Sequence, residues 1–335
     1  MKKNLIWADL ALACMAAGVF VSCNGNAEQQ QEMKGEEIFY ADPTIFVENG
    51  KYYMTGTLGA DSVNGFKMLV STDLENWAPV NDGQPVLESG KSAFGAAGFW
   101  APQVYKDGGK YYLFYTADEQ VAVAEAPVVT GPYVQDTVRP IDDSEKNIDP
   151  FVFKDDDGKY YLYHVRFNHG NYIWVAEYDI NTGNIDPSTL VQCLDCTDKW
   201  EKTDAGKWDP IMEGPTVIKL DGTYYLFYSA NHFLNPDYAM GYATAGSPLG
   251  PWTKHEGNPV IHRSKVGENG SGHGDWFYSL DGKPYYVYHV HYNDTAVSPR
   301  RTRIAPLVLN KDAETGLLDI TVDSSRIIIP RVAVP

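Results

Sequence analysis

A Gly-Lys-Tyr-Tyr theme recurs five times along the 335-residue chain: Gly50-Lys-Tyr-Tyr53, Gly109-Lys-Tyr-Tyr112, Gly158-Lys-Tyr-Tyr161, Gly222-Thr-Tyr-Tyr225 and Gly282-Lys-Pro-Tyr-Tyr286. The first tyrosine falls at 52, 111, 160, 224 and 285, so the units stand 59, 49, 64 and 61 residues apart. Self-similarity at such a period marks a repeat architecture and constrains the fold more than composition does. Each pair leads into a strand-like run such as Tyr111-Tyr-Leu-Phe-Tyr-Thr116, and is preceded by a short strand and a tight turn such as Phe151-Val-Phe-Lys-Asp-Asp-Asp-Gly158. Each unit therefore opens with a hairpin. A weaker second half recurs as Ser71–Trp77, Gly131-Pro-Tyr133 and Gly250-Pro-Trp252, which brings the unit to about four strands. No stretch holds a 3.6-residue apolar period. The predicted fold is all-β, a five-bladed β-propeller over residues 37–335. A β-sandwich is the alternative, but its strands would not repeat at blade spacing.

The hairpins open with Ala41-Asp42-Pro43, Trp100-Ala101-Pro102, Ile148-Asp149-Pro150, Glu213-Gly214-Pro215 and Gly272-His273-Gly274. The innermost strand of every propeller blade starts at the same mouth of the central channel, so these openings converge. The sequence thus predicts a ring of Asp42, Trp100, Asp149, Glu213 and His273. Any single Asp-Pro is an ordinary turn starter. Three carboxylates forced together raise one another's pKa values, and a fold seldom carries that cost without a use. An acidic mouth with aromatic platforms suits sugars, because carboxylates bond to hydroxyls and aromatic faces stack on sugar C–H faces. Two carboxylates can also cleave a glycosidic bond: in an inverting enzyme one protonates the leaving oxygen and the other activates water. A third, beside the acid, keeps it protonated.

Ala41-Asp-Pro-Thr44, Ile148-Asp-Pro-Phe151 and Glu213-Gly-Pro215, set in tyrosine-rich blades, resemble glycoside hydrolase family 43 over about residues 37–310. The resemblance implies a five-bladed, inverting hydrolase with Asp42 as general base and Glu213 as general acid. Asp149 would raise the pKa of Glu213 and orient it. It also implies that Gly272-His-Gly274 is a channel motif whose His273 stands beside a central, largely water-coordinated calcium ion, and that Arg300 contacts substrate, with Arg301 and Arg303 as near rivals. No cofactor is required for the chemistry. Asn231 and His232, just after the fourth hairpin, are further candidate substrate contacts, with Trp100 as the platform. The expected substrates are arabinose- or xylose-containing oligosaccharides and polysaccharides. An exo-acting α-L-arabinofuranosidase is expected first and a β-D-xylosidase second, with exo-galactosidase and endo-arabinanase activities also in the family. Residues 311–335 suffice only to finish the last blade. A non-catalytic carbohydrate-binding propeller, a protein scaffold and a retaining fructoside hydrolase are the competing classes.

Lys2 and Lys3, the apolar run Leu10–Val21 and Ser22-Cys23 read as a lipoprotein export signal over 1–22, with Cys23 lipidated and 23–36 a polar tether; a plain secretory signal or a transmembrane anchor is the alternative. The expected location is the cell envelope, with membrane contact only through that lipid. Cys193 and Cys196 lack the partner pair a zinc site needs, which leaves a local disulfide or two idle thiols. The 27 Lys+Arg against 44 Asp+Glu give a formal charge of −17, which speaks against a nucleic-acid partner.

Overall fold

The computed structural model describes residues 35–59, 64–204 and 206–333. The export signal, Cys23 and almost all of the tether lie outside the described residues. Among the described residues no helix is long and apolar enough to cross a membrane.

The repeats fold as five antiparallel sheets, numbered here I to V and given from the axis outward. Blade I is Ala41–Glu48, Lys51–Thr57, Leu69–Ser71 and Asn76–Pro79; blade II is Trp100–Asp107, Lys110–Ala117 and Gln120–Ala126. Blade III is Asn147–Lys154, Tyr160–Phe167 and Asn171–Asp179, edged by Asn184–Ile185 and Val191–Gln192. Blade IV is Met212–Leu220, Thr223–Ala230, Ala239–Ala245 and Thr253–Lys254, and blade V is Gly272–Tyr278, Pro284–Val290, Arg301–Lys311 and Leu318–Val322. The inner strands of neighbouring blades pack side by side, with I also against V, so the ring closes. Blade II departs from the expected four strands: its fourth is reduced to the single bridge Glu125–Val134.

The closing residues also differ from expectation. Leu318–Val322 finishes blade V, but Arg331–Val332 crosses to the outer strand of blade I, parallel to Asn76–Trp77. Glu36–Glu37 pairs on its other side.

The repeated tyrosines explain how the blades hold together. At three successive junctions an acid at the foot of one blade meets a lysine and the first repeat tyrosine of the next. Glu48 takes Lys106 and Tyr111, Asp107 takes Lys154 and Tyr160, and Asp155 takes Lys219 and Tyr224. Each lysine also stands over its tyrosine ring, at 4.9, 4.8 and 4.7 Å from the centroid. The aromatic repeat is therefore an inter-blade latch as well as strand filler.

At the opposite end of every inner strand the ladder slips, at Ala41/Thr44, Trp100/Gln103, Ile148/Phe151, Glu213/Thr216 and Gly272/Gly274. The residue in each bulge has positive φ: Asp42 +48°, Ala101 +42°, Asp149 +56°, Gly214 +62° and His273 +44°. A side chain in that region costs about 1–3 kcal/mol and persists only where its surroundings impose it, commonly at functional sites. Four of the five blades carry that strain on a non-glycine residue at one mouth.

Candidate active site

The five residues expected as one ring occupy two positions. Asp42, Asp149 and His273 are the bulged residues and point to the axis, where the cavity they line has about 20 Å³, room for little more than a water. Trp100 and Glu213 each stand one residue earlier, and Ala101 and Gly214 take the axial places. Trp100 is consequently a rim residue, 37% exposed. Glu213 reaches the cluster from just outside the axis, and its charge is felt by Asp149.

Asp42 is enclosed by polar side chains. Its Oδ1 lies 2.9 Å from Arg300 Nη1 and 3.3 Å from both His273 Nδ1 and His289 Nδ1, and the Thr57 hydroxyl donates to its Oδ2 at 2.6 Å. Burial pushes its pKa up, but Arg300 and the two imidazoles outweigh that and hold the carboxyl well below its usual range. Asp42 is an anion at neutral pH. Of the three neighbouring arginines, Arg300 alone touches the cluster; Arg301 and Arg303 pair with Glu268 and Glu37.

Asp149 and Glu213 behave in the opposite way. Burial, and then the charges of Glu213 and Asp42, push Asp149 well above its usual range. Burial, helped by Asp42 and opposed by the Tyr238 hydroxyl, pushes Glu213 up to about 7. The two titrate as a pair that retains a proton near neutrality. Tyr238 donates to Glu213 Oε1 at 2.7 Å, and the Asn171 side chain is a second hydrogen-bond partner of the carboxyl. One anionic and one protonated carboxyl at one mouth are the two states that acid–base cleavage needs.

A break in the repeat holds Asp149 in place. In four blades the bulge N–H is capped by a side chain from the second strand of the preceding blade: Ala101 by Thr57, Asp149 by Thr116, His273 by Ser229 and Asp42 by His289 Nδ1. The corresponding position on blade III is Val165, which has no acceptor. The Gly214 N–H donates to Asp149 Oδ2 instead, at 3.1 Å, and so ties Asp149 to the residue after Glu213.

The other expected contacts divide. Asn231 is 2% exposed, and its amide is committed to the backbones of Thr203, Trp200 and Asp237. It pins the loop that carries Thr203 and Asp237. His232 is half-buried and stacks on Trp208 at 4.0 Å between centroids, while Arg300 covers the ring of the adjacent Phe233 at 4.9 Å. His273 has its ring nitrogens 3.3 Å from Asp42 and 3.9 Å from Asp149. Among the described residues no three His, Cys, Asp or Glu side chains converge as metal ligands. With its one imidazole engaged by carboxylates, the channel does not by itself make a calcium cage, and no step here is routed through an ion. Cys193 and Cys196 are free thiols, packed near Trp252 and Glu201.

Tyr238 and His289 were not foreseen. Their rings stack at 5.6 Å and 11°, one bonded to Glu213 and the other to Asp42. Tyr238 lies outside every repeated motif. His289 occupies the strand position that Thr57, Thr116 and Ser229 hold in other blades, so a closer alignment of the second strands would have found it.

The likenesses to known proteins agree with this geometry. A β-D-galactofuranosidase of Aspergillus niger is 28% identical over 306 residues, 85% of this chain and 84% of that protein. A xylosidase/arabinosidase of Humicola insolens is 25% identical over 273 residues, 75% of this chain and 47% of that protein. The crystal structure of an endo-1,4-β-xylanase from Bacteroides thetaiotaomicron VPI-5482 superposes with a TM-score of 0.81 at 38% identity, covering 90% of this chain and 99% of that one. Residues 36–314 match the family model for glycosyl hydrolases family 43, and with the propeller and its carboxylate cluster this places the chain in that family.

Proposed function

We propose that this glycoside hydrolase works with inversion and releases pentosyl units, α-L-arabinofuranosyl groups first. The observation that carries the mechanism is the placing of Asp42 against Arg300, at 2.9 Å, while Asp149 and Glu213 are buried together, surroundings that favour an anion at the first and a retained proton on the second pair. Glu213 donates its proton to the glycosidic oxygen as the bond to the anomeric carbon breaks. Asp42 accepts a proton from the water that attacks that carbon from the opposite face. Arg300 keeps Asp42 anionic and orients it, and Asp149 returns the proton affinity of Glu213 to the range of an acid catalyst. The galactofuranosidase likeness supports a furanoside, since β-D-galactofuranosyl and α-L-arabinofuranosyl groups share ring size and anomeric arrangement. The xylanase likeness favours a β-D-xylosyl substrate as the second reading. Export and lipid attachment at Cys23 complete the reading as a cell-envelope enzyme.

The test is hydrolysis of aryl α-L-arabinofuranoside and aryl β-D-xyloside side by side. The arabinofuranoside should turn over faster, and Asp42→Asn should abolish both reactions. A preference for the xyloside installs the second reading. Undiminished turnover by Asp42→Asn overturns the base assignment.

A further inference from the structure

A cleft of about 450 Å³ opens between blades III and IV. Phe167, Asn168, His169 and Asn171, at the hairpin between the second and third strands of blade III, form one wall. Trp208 and Asp209 form the other, on the segment that runs through Ile211 into Glu213. Two larger clefts, of about 560 and 640 Å³, lie against the outer strands of blades II and III and share no residue with the carboxylate cluster. The smaller cleft adjoins the acid through its wall: the Asn171 side chain bonds to Glu213, and the Asn171 N–H donates to the Pro210 carbonyl at 2.8 Å.

We propose that this cleft is the leaving-group subsite and takes a sugar ring of a saccharide aglycone, with Trp208 as its platform. The proposal rests on the hydrolase reading above. An acid catalyst must lie within hydrogen-bond reach of the glycosidic oxygen, so the departing group begins at Glu213 and extends away from the water held by Asp42. Of the three clefts, this one adjoins Glu213, through Asn171 and Ile211. Its chemistry suits a sugar: Asn168, Asn171, His169 and Asp209 offer donors and acceptors for hydroxyls, and an indole offers a flat face for C–H groups. The indole is held in orientation by His232, stacked on it at 4.0 Å, and His232 is in turn fixed by the Leu234 N–H bonded to its Nδ1. The Lys207 ammonium, 5.4 Å from the indole centroid, is exposed, so it can turn to solvent as a sugar ring enters.

The experiment compares a pentosyl trisaccharide with the pentosyl fluoride of the same sugar, whose leaving group has no ring to fill the cleft. In Trp208→Ala the ratio of kcat/KM for the trisaccharide to that for the fluoride should fall about tenfold or more, the loss of roughly one stacking contact. Trp208→Phe should restore most of the ratio, and it keeps the test valid if the alanine variant folds poorly. An unchanged ratio, or an equal loss on both substrates, overturns the subsite. If the unaltered enzyme cleaves neither compound, the hydrolase reading falls and the subsite with it; cleavage of both with an unmoved ratio rejects the subsite alone.

Discussion

At the scale of single residues, three carboxyls at one mouth differ in protonation because their nearest neighbours differ. Asp42 meets a guanidinium and two imidazoles, whereas Asp149 and Glu213 meet each other. Activity should therefore fall on the alkaline side as the Asp149–Glu213 pair loses its proton. Replacing Asp149 with Asn removes the like charge, so Glu213 should deprotonate at lower pH and the alkaline limb of kcat/KM should move down. Tyr238→Phe removes a donor that favours the Glu213 anion, and the same limb should move up. Opposite displacements in the two variants, read from kcat/KM against pH, are the expected result. Displacement in the same direction would mean that the limb belongs to another group. Val165 provides a third handle on this pair. A threonine there would restore the hydroxyl cap present in blades I and II and compete with Asp149 for the Gly214 N–H.

At the scale of strands and blades, the acid–Lys–Tyr latches lie where one blade ends and the next begins. Their lysines are partly exposed, so the ion pair contributes little by itself. The tyrosine adds ring area and a hydrogen bond at 2.5 Å from Asp155, in the case of Tyr224. Tyr224→Phe should then cost about 0.5–1.5 kcal/mol, the usual net value of one hydrogen bond, with kcat unchanged because the latch stands at the other end of the strand. Denaturant unfolding with an activity assay checks both halves. The repeat made most of this legible: the blade number, the hairpins and the three carboxylates followed from Tyr-Tyr and Xaa-Pro spacing. Its limits are equally physical. The ring was misaligned by one residue at Trp100 and Glu213, because a bulge inserts a residue that spacing alone does not locate. Asn231 looked like a contact because a polar residue after a strand resembles a loop tip; its burial depends on Trp200 and Asp237, which no local pattern connects to it.

For the molecule as a whole, the fold buries a histidine that is neutral near pH 7. His164, on the second strand of blade III, is fully buried, and among the described residues neither ring nitrogen has a hydrogen-bond partner. Burial, aided by the Arg166 charge and opposed by Asp142, pushes its pKa from 6.5 down to about 4. The unfolded chain binds a proton at this position below about pH 6.5, whereas the folded chain does not until about pH 4. Stability contributed by the neutral ring is thus complete above pH 6.5 and drains as pH falls towards 4, by on the order of 3 kcal/mol in all. The His164→Leu variant fills a similar volume without a titrating group. Its unfolding free energy between pH 7 and pH 4 should decline less steeply than that of the unaltered protein. The difference between the two curves should therefore shift in favour of leucine as pH falls, because only the native ring is penalised there. Parallel curves would show that His164 does not titrate in this window, and would move the origin of acid sensitivity to the carboxylate cluster at the mouth.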